Sequence, residues 1–236
     1  MKQERFDFFF CSRTWVKTDR YEGNCLSWKQ GFEVPWQYDR GRDKSLFLDV
    51  GKIKLVLQSD ADVLEERILQ AGDCCHIPRG KKYTIFACQE SEILAVSTSE
   101  AQDVVLVEDR KAFVPLLCEP KKPLYIQKPW GFELIWAQTG GYVGKVLHIE
   151  KGHQLSLQYH RVKNESVRLL RGKMLLVLQN ASGVFEEILM DSGTCSDILP
   201  MRKHRMIAVE TCEVFEVSTP ELEDVVRLED QYGRVR

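Results

Sequence analysis

Sliding the sequence against itself by 121 positions aligns Tyr21 to Asp109 with Tyr142 to Asp230 without a gap, and roughly a third of the paired residues are identical. The clearest pieces are GKIKLVLQ (51–58) against GKMLLVLQ (172–179), and STSEAQDVVLVED (97–109) against STPELEDVVRLED (218–230). Such a chain is an internal duplication, and whatever fold one copy adopts must serve the other. The proline-bracketed stretch Glu119-Pro120-Lys121-Lys122-Pro123 lies between the copies, which predicts two domains, 1–120 and 121–236.

Each copy is made of short runs rich in Val, Ile, Leu and Phe, such as 53–57, 93–97, 145–149, 167–170 and 214–218, set between glycine- or charge-marked turns. Many short strands with little helical periodicity predict an all-β chain, with one sandwich or barrel per copy. Only the acidic stretches 100–110 and 221–231 read as helical. The formal charge is -2, from 33 basic against 35 acidic residues, so no global positive excess favours nucleic acid or an anionic membrane as partner. No run approaches the ~18 apolar residues of a membrane span. The patch Phe8 to Cys11 is too short for a signal-peptide core, and the eight cysteines show no CxxC spacing. A cytoplasmic chain with reduced thiols is expected.

A duplication allows comparison within one chain. Where one copy has gained chemically capable groups, a site is expected. In the second copy Gln158 and His160 stand two apart, so a strand puts both on one face; Glu165 follows a short turn, and His204 lies on a later strand. An amide, two imidazoles and a carboxylate form a reasonable donor set for a divalent first-row metal such as Zn, Mn, Co, Ni or Fe. The first copy has Gln37, Asp39, Lys44 and Tyr83 instead, with an ammonium where the cation would sit, and it is expected to bind none. Spacing around these residues (Gly152, Gln158-x-His160, Glu165, Gly172, then Gly193 and His204) resembles the two motifs of the cupin superfamily, with Gln in place of the first His. That resemblance implies two tandem cupin (double-stranded β-helix, or jelly-roll) barrels.

The segments KPWGFE (128–133), GKVLHIEKGHQLSLQYH (144–160) and DVVRLEDQYGR (224–234) resemble, more narrowly, the type II mannose-6-phosphate isomerase domain. This implies an aldose-ketose isomerase whose metal is held by Gln158, His160, Glu165 and His204. The chain departs from that pattern at Val162, Lys163, Ser166 and Val167, where the family has a second His, an Arg and a His-Trp pair. Moving a proton between C1 and C2 of a sugar phosphate requires a base and cationic groups. Glu216, replaced by Ala95 in the first copy, is the expected base, with Lys145 as the other acid/base candidate. Phosphate contacts are expected from Arg205, Arg227, Arg161, Lys163 and Arg234, the first two because Thr84 and Leu106 stand at their positions in the first copy. His148 and His153 are expected to be exposed. The expected partner is a small sugar or sugar phosphate. Two other readings stay open: a non-catalytic bicupin that binds a sugar or metabolite, and an Fe(II) oxygenase. A homodimer is possible.

Overall fold

The computed structural model describes residues 4–6 in backbone only, 9–108 and 115–234. It contains strands and no helix among those residues, so none is long and apolar enough to cross a membrane. The chain divides into two units, Met1–Pro123 and Leu124–Arg236.

In the second unit one sheet runs in the order Leu124–Lys128, Gly131–Gln138, Val143–Ile149, Cys212–Ser218, Glu165–Arg171, Cys195–Ile198. The other runs Phe185–Asp191, Lys173–Gln179, His204–Ala208, Leu157–Tyr159, Val226–Glu229. All these pairings are antiparallel. Alternation along the strands decides which side chains face inward. Leu147, Val167, Leu169, Met174, Leu176, Met206 and Val214 are fully or almost fully buried and form the core of this unit. The first unit repeats the same order of six strands in its first sheet. Its counterpart core holds Leu46, Leu48, Ile53, Leu55, Leu57, Leu69 and Ile85. Gly144 and Gly23 occupy matching places against a tryptophan: a Cβ on Gly144 would lie 2.7 Å from the Trp136 ring, and one on Gly23 would lie 3.0 Å from Trp15.

The expected helices at 100–110 and 221–231 do not form. Val104–Leu106 and Val226–Glu229 are strands, paired with Glu33–Asp39 and Leu157–Tyr159 respectively; Asp109 and Arg110 lie outside the described residues. Acidic composition favoured a helix locally, but each segment runs beside a strand edge whose N–H and C=O groups need partners, and pairing there satisfies both backbones.

Candidate metal centre

Strand Glu165–Arg171 carries Glu165 at its first position, and Ser218 across from it begins the run back to Glu216. On the facing sheet Gln158 pairs in register with His204 on one side and Arg227 on the other. His160 follows two residues after Gln158. These elements bring His160, Glu165 and His204 together with their ligand atoms all within 4.8 Å of one another, and all three are buried. Nε2 of His160 and Nε2 of His204 each lie 3.1 Å from the same carboxylate oxygen, Glu165 Oε1.

The other ring nitrogen of each histidine is already committed. Nδ1 of His204 donates to the carbonyl of Arg202 at 3.0 Å, and Nδ1 of His160 donates to the carbonyl of Asp224. A ring whose Nδ1 carries the proton presents a lone pair at Nε2. With both rings neutral, two lone pairs and a carboxylate oxygen converge on one point; the contact is relieved either by protons on Nε2 donated to Glu165 or by a cation lying among the three. Gln158 stands beside these three: its amide nitrogen is 3.4 Å from His204 Nε2, and its oxygen accepts from the Ser156 hydroxyl at 2.7 Å. Rotating the amide by half a turn would present the oxygen instead, and the Ser156 hydroxyl can serve either orientation. The donor set fits a divalent ion of the first transition row.

Electrostatics support the charged carboxylate. Burial pushes the Glu165 carboxyl up, but the Lys163 ammonium and, with Nε2 protonated in the absence of an ion, the hydrogen bonds from both histidines outweigh it and hold it well below the usual range. Burial pulls His160 down, and Glu165 more than reverses this, leaving the ring above its ordinary value. Lys163 is almost wholly buried, with its ammonium 2.6 Å from Glu165 Oε2 and 2.8 Å from Glu216 Oε1. Burial lowers its pKa as well, yet the two carboxylates raise it above the ordinary lysine value.

Beside this cluster lies a cavity of about 130 Å³. Its lining includes Trp130, Gln158, His160, five basic side chains (Lys128, Lys145, Lys163, Arg227, Arg234) and three acidic ones (Glu133, Glu165, Glu216), a surplus of two positive charges. Most of the cations are paired internally. Lys145 lies 3.7 Å from Glu216 and 3.9 Å from Glu133, Lys128 is 3.3 Å from Glu133, and Arg234 grips Asp230 with two nitrogens. Arg227 differs: its buried Nε has no hydrogen-bond partner among the described residues, and no carboxylate there pairs with it.

The expected phosphate ligands thus separate. Arg227, Arg234 and Lys163 line the cavity, but only Arg227 has an uncommitted charge. Arg161 is exposed on the turn after His160 and is not part of the lining. Arg205 follows His204 along a strand, so it faces the opposite side, where it pairs with Glu229 at 2.8 Å. Glu216 and Lys145, the acid/base candidates, both line the cavity and face each other in register. His148 and His153 are half-buried rather than exposed. The first stacks on Phe132 with ring centroids 4.6 Å apart, and the second reaches the Tyr232 hydroxyl at 3.0 Å, because each lies on a face that an aromatic neighbour covers. Trp130 packs into the core beneath the cavity.

Two contributors escaped the sequence reading. Glu133 holds Lys128 and Lys145, and it lies outside the aligned repeat. Asp224 matches Asp103, and a comparison that looked for differences between copies passed over it. In the first unit Asp39 caps its own turn, accepting from the N–H groups of Gly41 and Arg42 at 3.0 and 3.2 Å. His160 stands at that position in the second unit, and the Asp224 carboxylate takes over the turn amides. The first unit's remaining counterparts bond to one another: Tyr83 Oη receives Gln37 Nε2 at 2.7 Å and the Lys44 ammonium at 2.9 Å.

Neither a protein-family model nor a curated protein matches the chain. Solved structures do. The chain is similar to Bacillus subtilis oxalate decarboxylase, the subject of work on its Mn(II) centres, with TM-score 0.74, 13% identity, 96% of this chain covered and 77% of that one. The fold is a tandem cupin. Lactobacillus farciminis oxalate decarboxylase, solved as its formate complex, gives TM-score 0.74 at 13% identity, covering 96% of this chain and 86% of that one. Sequence likeness this low carries the cupin architecture of both units and no more.

Proposed function

We propose that the second cupin unit is a divalent-metal enzyme acting on a small anionic, oxygen-rich substrate, with an aldose-ketose sugar phosphate as the leading candidate. The carrying observation is the convergence of two imidazole lone pairs and a carboxylate oxygen beside a cavity with one uncommitted arginine. A divalent ion held by His160, Glu165, His204 and Gln158 would supply a Lewis acid for substrate oxygens. Arg227 binds the anionic group, since a guanidinium offers two parallel N–H donors to a phosphate or carboxylate. Glu216, on the cavity wall, removes the proton at C2 of the aldose and returns it at C1, Lys145 gives a proton to O1 and takes one from the O2 hydroxyl, and Lys163 keeps the Glu216 carboxylate oriented.

The test is a turnover assay on metal-loaded protein with mannose 6-phosphate and fructose 6-phosphate, run beside a panel of other sugar phosphates and short dicarboxylic acids such as oxalate. Interconversion of the two sugar phosphates, abolished in His160→Ala, is the expected result. Metal-loaded protein inert to every sugar phosphate would remove the isomerase reading, and turnover of a dicarboxylic acid alone would redirect it.

A second reading, a binding protein without turnover, is favoured by one observation. Lys163 ties both Glu165 and Glu216, so the candidate base is held in an ion pair before any substrate arrives. It predicts thermal stabilisation by a sugar or sugar phosphate with no product formed.

A further inference from the structure

Among the groups around the cluster, Lys163 has no place in binding an anion, because its charge is already spent on two carboxylates. Its ammonium is 2.6 Å from Glu165 Oε2, on the far side of the carboxylate from the oxygen that faces the histidines. Its second contact, 2.8 Å to Glu216 Oε1, fixes it from behind. Only 4% of the residue is exposed, so water cannot replace either contact, and releasing Glu165 would strand a buried charge. Glu165 therefore has one oxygen to offer an ion, and that oxygen shares its negative charge with an ammonium.

We propose that Lys163 sets which divalent ion the site retains, turning the donor set toward late first-row ions such as Zn²⁺ and away from Mn²⁺, Mg²⁺ and Ca²⁺. The inference rests on the reading that the cluster holds a metal. Hard ions bind through anionic oxygens and take six or more ligands, often with carboxylates in two-oxygen contact. Late ions gain most from imidazole nitrogen. Capping one oxygen of the single carboxylate removes what the first class needs and leaves intact what the second class uses. The direct repulsion between the ammonium and the ion is the same for every dication and lowers all affinities together. The ratio between ions reads the donor set alone. The first unit takes the same device one step further, with Lys44 standing at the carboxylate position itself and donating to Tyr83.

The test uses full-length protein stripped with chelator and titrated with Zn²⁺ and with Mn²⁺ against a chromophoric competitor. In Lys163→Met both ions should bind more tightly, and the Zn²⁺ preference should shrink on the order of tenfold, the scale on which partners of metal ligands act. Glu216→Gln leaves Lys163 with Glu165 as its sole carboxylate and should enlarge the preference; this variant keeps the inference open to refutation if Lys163→Met does not fold. An unchanged ratio in Lys163→Met, or a smaller one in Glu216→Gln, overturns the inference while leaving the metal site standing. Failure of the wild-type protein to bind either ion overturns both.

Discussion

The backbone carbonyl of Asp224 receives Nδ1 of His160, and the carboxylate of the same residue collects the N–H groups of Arg161, Val162 and Lys163 at 3.0, 2.7 and 2.9 Å. One aspartate thus sets the tautomer of a candidate ligand and anchors the turn that delivers Lys163. The three amides, with burial opposing them, keep its carboxyl below the usual carboxylate range. Alanine keeps the backbone carbonyl but removes the acceptor of the three turn amides, so Asp224→Ala should reduce thermal stability and, by loosening the turn between His160 and Lys163, lower metal affinity by up to about tenfold. Metal titration and a melting curve on Asp224→Ala check this; undiminished affinity would show that the turn holds its shape unaided.

Arg227→Leu restores the residue of the first copy, Leu106, at the cavity wall. Binding of inorganic phosphate to the metal-loaded protein should weaken about ten- to a hundredfold, the worth of hydrogen bonds to a charged group, while metal content stays as in wild type. Arg205→Leu, on the outer face, should leave phosphate binding within about twofold, as surface ion pairs contribute little. Calorimetry with phosphate on both variants separates the two arginines.

Acid stability follows from Asp230. Hydrogen bonds from Arg234, with burial opposing them, hold its carboxyl down from 3.8 to about 2. A carboxyl whose pKa is depressed by folding contributes stability above its unfolded value and loses it as pH falls through the folded one. The wild-type melting temperature should therefore fall more steeply than that of Asp230→Asn between about pH 4 and pH 2. Parallel melting curves of the two proteins across that window would refute it.

Burial pushes the thiols of Cys75 and Cys212 up to about 12 and that of Cys74 to about 11. Since the thiolate is the reactive form, these three should resist a thiol reagent at pH 8 in folded protein and react once it is unfolded. Mass spectrometry of the labelled chain reads this site by site, and rapid native labelling of Cys75 would contradict it.

Gly144→Ala would press a methyl group into the buried Trp136 ring at 2.7 Å. It should destabilise by about 1–3 kcal/mol, and Gly23→Ala should act likewise against Val16 and Trp15. Melting curves of the two variants test whether the copies share this packing; a neutral result in both would mean that the tryptophans yield.

The sequence by itself determined the duplication and the all-β barrels, and it singled out Gln158, His160, Glu165 and His204 as a candidate metal set. Repeats, alternation and turn glycines are properties of residues near in the chain, and comparison of the copies showed where polar groups had been gained. It also contained, unused, the fact that Arg205 must face away from His204, its neighbour on a strand. Only the tertiary structure decided that Arg227 keeps an unshared charge, that Lys163 closes on Glu165 and Glu216, and that Asp224 replaces the capping role of Asp39. Those relations depend on which strands meet across the barrel and on distances of a few ångströms between side chains dozens of residues apart, a matter of closure that no local pattern encodes. The same holds for the acidic segments: an unpaired strand edge, supplied by a distant part of the chain, outweighed their own leaning toward helix.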